Sequence, residues 1–179
     1  MFGIFKKKNK NPFDFDDNIQ SPIDMYLSLV CHCAKGFLEL TELDIKNIRN
    51  CEVAMGFMIF VMAHKTDMKY EHVISIIKRF QENMYKNKFS ANEINDFSQK
   101  ADFYYRKIAE ALKEFATDTN NNILSLTSYI KLVFNLETIE PEEYMDYYMR
   151  ATISMKMMAS FLEADKKIKE DFKNGRLLW

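Results

Sequence analysis

The sequence predicts an all-α protein: a single-domain helical bundle of about six helices with a long C-terminal helix. The chain has 179 residues, a length that usually forms one domain. It contains only 4 Gly and 3 Pro, too few for the many tight turns of a β-sandwich or barrel. Its apolar residues, 47% of the total, recur mostly at spacings of three and four, which place them on one face of a helix.

The first twenty residues differ from the rest of the chain. A lysine-rich block at residues 6–10 is followed by an acidic stretch at residues 14–17, and neither has a helical period. We therefore expect residues 1–20 to be a flexible, basic-then-acidic N-terminal arm. Residues 21–179 are expected to form the helical bundle domain.

Capping signals divide the first half of the domain. Ser21 followed by Pro22 and Asp24 resembles a capping box, so the first helix should begin there and end near Leu40.

A second such pattern, Thr41 with Asp44, predicts the start of the second helix. This helix includes Val53 to Ala63, a stretch that is apolar on every face and therefore belongs in the middle of the bundle. A third, amphipathic helix is expected after Asp67.

The remaining helices have clear starts. Ser90 with Glu93 forms a capping box for the fourth helix. A shorter fifth helix is expected from about 123 to 137, with a strand as the alternative there. Pro141 is well suited to a first helical turn, and nothing interrupts the helical pattern before Lys173. A continuous sixth helix over this range would be about 50 Å long.

Charge and composition exclude several classes of function. The 25 basic and 26 acidic residues give a net charge of -1, so no overall positive field favours nucleic acid. The longest apolar run is eleven residues, against about 20 needed to span a bilayer. The three cysteines are an odd number without a secretory signal before them, and we expect a cytoplasmic protein.

No pattern typical of a metal or catalytic site occurs in the sequence. Cys31, His32 and Cys33 would point about 100° apart in succession on a helix, so at most two of them face one ion. Glu-x-x-His pairs, glycine-rich phosphate loops and Gly-x-Ser-x-Gly elbows are absent. The sequence therefore predicts neither an enzyme nor a bound cofactor or metal.

Two acids next to apolar stretches need a separate explanation. Glu52 and Glu163 are each expected to pair on the helix surface with a base one turn away, Arg49 and Lys167 respectively. A catalytic acid or base is the alternative.

The sixth helix has more apolar surface than one bundle position uses. One stripe includes Met145 and Tyr148, and a second runs from Ile153 onward. The second stripe packs inside the bundle or meets the chain's own tail or another chain. The candidate partner-binding residues are Ile153, Met157, Phe161, Ile168, Phe172, Leu177, Leu178 and Trp179.

The N-terminal segment combines aromatic and basic residues that suit an anionic membrane surface. The candidates are Phe2, Phe5, Lys6, Lys7, Lys8 and Lys10. Such a short segment would support only weak peripheral contact, and a flexible start that keeps the chain soluble is the alternative.

Together these patterns predict a non-enzymatic cytosolic protein-binding module that presents a Met/Phe-rich helical surface. An immunity or antitoxin-type inhibitor, an adaptor or a homodimer would all fit. The alternative is a small-molecule-binding or enzymatic bundle with a pocket between helices, lined by methionines together with Tyr104, Tyr105, Tyr147 and Tyr148. Peripheral membrane association is the weaker alternative.

Overall fold

The computed structural model describes residues 10–15, 19, 21–117 and 126–174, without the side chains of 114–117 and 172. These residues form six α-helices and no strand, which confirms the predicted all-α bundle. The helices are α1 (Pro22–Leu40), α2 (Ile48–Lys65), α3 (Tyr70–Lys86), α4 (Ala91–Thr117), α5 (Thr127–Phe134) and α6 (Pro141–Lys173).

Helix α2 lies in the middle of the bundle, as its apolar sequence predicts. It packs against α1 and most extensively against α4, and it also contacts α3 and α6. Every residue from Asn50 to Met58 is buried. The apolar stripes of the other helices therefore share one core around α2.

A glycine sets the distance between α2 and α4. A methyl group at Gly56 would lie 2.8 Å from the backbone nitrogen of Tyr105 and 2.9 Å from the carbonyl oxygen of Ala101. Real Cβ atoms do not approach other atoms so closely. The two helix backbones touch at this point because Gly56 has no side chain.

Helix α6 runs antiparallel to α1. The Tyr26 hydroxyl, in the first turns of α1, donates a hydrogen bond of 2.8 Å to Asp165 near the end of α6. Just beyond the other end of α1, Glu42 forms an ion pair of 2.8 Å with Arg150 in the first half of α6. The 33 residues of α6 span about 50 Å.

Helix α5 is held to α2 through one arginine. Arg49 donates to the carbonyl oxygens of Leu132 and Val133 in the last turn of α5, at 2.7 Å for Val133. It also donates to the Tyr104 hydroxyl at 3.2 Å. The guanidinium thus donates hydrogen bonds to carbonyl groups that have no partner within α5. These carbonyls lie at the C-terminal end of α5, which is the negative end of the helix dipole. The predicted pairing of Arg49 with Glu52 is not what the structure shows.

The predicted start of the second helix is wrong. The Thr41 hydroxyl donates back to the Phe37 carbonyl at 2.7 Å, so this residue ends α1. Asp44 lies in the following turn, and the side chain of Asn47 caps α2 by accepting from the Arg49 amide at 3.1 Å. A threonine hydroxyl bonds equally well to a preceding carbonyl or a following amide, and the sequence pattern does not distinguish the two.

The other two predicted caps are confirmed. The Ser21 hydroxyl accepts from the Asp24 amide at 3.2 Å. Ser90 and Glu93 form a reciprocal capping box, in which the Ser90 amide donates to the Glu93 carboxylate at 2.7 Å. Helix α5 ends at Phe134, three residues before the expected end, because Asn135 adopts a left-handed conformation with φ 58°. Its expected start near residue 123 lies outside the described part of the chain.

The predicted flexible arm does not extend through residues 10–15. Phe13 is fully buried, with its ring centroid 5.8 Å from that of Phe80. The Asp14 carbonyl accepts a hydrogen bond from Asn83 at 2.8 Å, and its carboxylate pairs with Lys35. A buried aromatic ring and satisfied backbone groups dock this segment on α1 and α3. Residues 1–9, 16–18 and 20 lie outside the described part of the chain.

We predict that Gly56→Ala lowers the free energy of unfolding by about 1–3 kcal/mol, because overpacking forces the backbones of α2 and α4 apart. Gly36→Ala is the matched control. Its methyl would meet only the flexible Met157 side chain, and alanine is the better helix former by about 1 kcal/mol. We expect the control to be neutral or slightly stabilising. Urea unfolding followed by circular dichroism compares the two variants, and equal losses would contradict the proposed backbone contact.

Candidate functional site

The outward face of α6 carries a short apolar strip. Met145 and Met149 are 54% and 52% exposed, although both are large apolar residues. Ile153, four residues after Met149, is partly exposed. Residues four apart lie on the same side of a helix, so these three side chains are neighbours. We call Met145, Met149 and Ile153 the α6 strip.

The other described partner-binding candidates lie towards the bundle. Phe161 is fully buried, so it belongs to the core and is not available to a partner. Met157 packs against Gly36 of α1, and Ile168 packs against the core while remaining partly exposed. The antiparallel contact with α1 uses this face of α6 internally. The side chains of Phe172, Leu177, Leu178 and Trp179 lie outside the described part of the chain.

Acidic residues lie at the N-terminal end of the α6 strip. Five Asp or Glu residues and no basic residue occur between 137 and 146, and Glu142, Glu143 and Asp146 are exposed. Arg150 is the first base that follows, and it pairs with Asp146 at 2.9 Å and with Glu42 at 2.8 Å. The start of α6 is therefore negatively charged beside Met145, whereas Arg150 and Lys156 lie beside Ile153 at the other end of the strip.

Lys10 is the only membrane-surface candidate in the described part of the chain. Its ammonium nitrogen lies 3.0 Å from the Glu93 carboxylate and 5.2 Å from the centre of the Phe89 ring. Lys10 is thus attached to the start of α4. Phe2, Phe5, Lys6, Lys7 and Lys8 lie outside the described residues. Within the described part of the chain, every helix is too short or too polar to span a lipid bilayer.

The four tyrosines expected to line a common pocket have separate neighbours. Tyr104 accepts from an arginine of α2, and the Tyr105 hydroxyl lies 3.1 Å from a histidine at the end of the same helix. The Tyr147 ring packs on α5, and Tyr148 stacks within α6. These contacts place two tyrosines at the α2–α4 contact and two on α6.

The structure shows a cleft between α1, α3 and α6 that the sequence did not indicate. Its volume is about 330 Å³. The residues that line it are Ile23, Tyr26, Asp67, Met68, Lys69, His72, Ile76 and Lys169. We call it the α1–α3–α6 cleft. The helices on its two sides are far apart in the sequence: Tyr26 and its hydrogen-bond partner Asp165 are separated by 139 residues. A local sequence pattern does not predict a contact between residues so far apart.

A hydrogen-bonded network supports this cleft. Asp165 is 5% exposed and accepts from the Tyr26 hydroxyl at 2.8 Å and from Lys169 at 2.7 Å. Lys169 also donates to Asp67. Burial raises the pKa of Tyr26, and the hydrogen bond to Asp165 raises it further. Desolvation lowers the pKa of Lys169, but the bonds to the two carboxylates outweigh it, so the net shift is upward. The tyrosine and the lysine therefore both stay protonated at neutral pH.

The cysteines are buried and unreactive. Burial raises the pKa of Cys31 and Cys51 to about 12 and that of Cys33 to about 11, so the three free thiols remain protonated at neutral pH. Among the described residues, no group of three or more His, Cys, Asp or Glu side chains is placed to hold a metal ion.

Glu52 is a buried acid whose pairing is incomplete. It is 2% exposed, and one carboxylate oxygen has no hydrogen-bond partner. The nearest base is Lys100 of α4, whose nitrogen lies 3.8 Å away. Burial raises the pKa of Glu52, although Lys100 opposes the shift.

Comparison with known proteins identifies no relative. No family model matches the chain, and no curated protein or solved structure is significantly similar to it. Function therefore has to follow from the chain's own residues, chiefly the α6 strip and the α1–α3–α6 cleft.

We predict that Glu52→Gln raises the free energy of unfolding at neutral pH. The folded-state pKa lies above the unfolded value of about 4.3, so the ionised carboxylate destabilises the fold. The gain should shrink as the pH falls from above the folded-state pKa of Glu52 to below its unfolded-state pKa. Below both values the carboxyl group is protonated in the folded and in the unfolded chain, so its burial no longer destabilises the fold. Denaturant unfolding at several pH values measures it. The exposed Glu163→Gln is the control, and a gain independent of pH would contradict the explanation.

Proposed function

We propose that the protein is a non-enzymatic cytosolic protein-binding module that holds a basic amphipathic helix of a partner on the α6 strip. The observation that carries the proposal is the pair of half-exposed methionines, Met145 and Met149, on the outward face of α6 beside an acidic stretch. An immunity or antitoxin-type inhibitor or an adaptor would act through such a surface.

The apolar part of the strip supplies binding energy. Burying a large apolar side chain is worth about 1.5–3 kcal/mol, and here the side chains are already fixed on a helix supported by the bundle. Methionine suits such a surface because its unbranched thioether adapts to partners of different shape. A partner helix would place its own apolar face against these residues.

The acidic residues beside Met145 favour a basic partner over a second copy of the chain. A symmetric dimer centred on Met145 would bring the acidic residues of both copies together. A partner with lysines or arginines beside its apolar face would instead be attracted. The three free, buried cysteines are consistent with a reducing compartment.

Binding of a small molecule between helices is the second candidate function. The specific observation in its favour is the α1–α3–α6 cleft with its buried polar network. It uses a different face of the bundle and does not exclude protein binding by the α6 strip.

A synthetic amphipathic helix tests the proposed function. The probe is a peptide of two Leu-Lys-Lys-Leu-Leu-Lys-Leu repeats, and its counterpart has Glu in place of Lys. We expect the Lys peptide to bind the full chain, more weakly at high salt because exposed charges are screened. The double variant Met145→Gln/Met149→Gln should reduce its affinity by about tenfold or more, since two buried methionine contacts are lost. Isothermal titration calorimetry measures each affinity.

Tyr70→Gln is the control, because Tyr70 is a large side chain, 76% exposed, on another helix. It should leave peptide binding unchanged. Equal affinity for the Lys and Glu peptides, or unaltered binding by the double variant, would refute the proposal. Sedimentation of the chain alone tests the homodimer: self-association that the double variant abolishes would assign the strip to a second copy instead.

A further inference from the structure

We propose that the α1–α3–α6 cleft binds a small amphipathic anion, an aliphatic chain of medium length with a carboxylate head. This site lies on a different face from the α6 strip, and the proposal does not depend on protein binding there. The volume of the cleft, about 330 Å³, is at the lower end of the usual range for small-molecule sites, roughly 300–1,000 Å³.

The walls of the cleft suit an aliphatic chain. Ile23 of α1, Ile76 of α3 and Met68 of the turn before α3 line it together with Tyr26. Neither branched aliphatic side chain nor thioether offers a strong hydrogen-bond partner to a polar ligand. Each methylene group transferred from water to such walls should strengthen binding about fourfold.

The cleft is built to stay open in one shape. Tyr26 is 4% exposed, and its hydroxyl is fixed by the hydrogen bond to buried Asp165. Lys169 holds the same carboxylate from the other side and binds Asp67 at the surface. Because these groups satisfy one another, the tyrosine ring is held in place as a wall before a ligand arrives, which lowers the cost of binding.

The mouth of the cleft favours a negative head group. Lys69, Lys169 and Asp67 line it, and the buried carboxylate of Asp165 lies behind Lys169. Because Asp67 and Asp165 share Lys169, Lys69 is the cation that meets a negative head group. An ammonium has three N–H donors, and the bonds to Asp67 and Asp165 account for two of those of Lys169. Lys69 also occupies the N-cap position of α3, where its side chain makes no capping hydrogen bond. The positive end of this helix therefore lies next to the lysines at the mouth.

A series of simple ligands tests both halves of the proposal. Octanoate, hexanoate and octylamine are titrated into the full chain and followed by isothermal titration calorimetry. We expect octanoate to bind at one site. Hexanoate, which is shorter by two methylene groups, should bind about sixteenfold more weakly. Octylamine, with the opposite charge on the same tail, should bind more weakly than octanoate.

Variants locate the site. Met68→Trp fills the cleft and should weaken octanoate binding at least tenfold, and Lys69→Gln should weaken octanoate while leaving octylamine unaffected or improved. Tyr85→Trp, at a residue 69% exposed near the other end of α3, is the control for an added indole. The variant Met145→Gln/Met149→Gln should bind octanoate normally, which separates this site from the α6 strip.

Equal affinities for octanoate and hexanoate would overturn the proposal, since the walls would then not hold the tail. The same holds if octylamine binds as tightly as octanoate, or if Met68→Trp folds and binds octanoate like the unaltered chain. Lys69→Gln alters a side chain at the mouth, so its result decides the role of the head group even if the tryptophan variant does not fold.

Discussion

The close crossing of α2 and α4 at Gly56 is the constraint on which the rest of the bundle depends. Helix α2 is apolar on every side, so it folds only where other helices cover all of its faces. The missing side chain at Gly56 brings α4 against it, backbone to backbone. Helices α4 and α1 cover two sides of α2. The apolar faces of the remaining helices cover the rest of the core.

The two candidate sites follow from how α6 meets this core. Its inner face packs on α1 through residues such as Met157, which leaves the α6 strip on the outside of its first half. Near its other end, Lys169 lies beside a space between α1 and α3 that the side chains do not fill. One long helix thus presents an apolar surface at one end and bounds a cleft at the other. This arrangement is why we propose binding rather than chemistry as the protein's role.

Buried polar groups fix how the helices are arranged around the core. Asp24 is 2% exposed and pairs with Arg79 of α3 at 2.7 Å, while Asp165 joins α6 to Tyr26 of α1. A buried charge that loses its partner is strongly destabilising, so such pairs disfavour other helix registers. Glu52 differs, because its pairing with Lys100 is incomplete and its burial works against the ionised form.

The sequence by itself determined the helical class, the caps at Ser21 and Ser90 and the central place of α2, because spacing and capping are local properties of the chain. It also showed that α6 has two apolar faces. Only the tertiary structure decided which of these apolar residues are exposed: the α6 strip takes Met145 from one face and Ile153 from the other. This outcome depends on the antiparallel contact with α1. The docking of Phe13, the partner of Arg49 and the α1–α3–α6 cleft were decided in the same way. Each joins residues far apart in the chain, and such meetings are set by the packing of whole helices rather than by any local pattern.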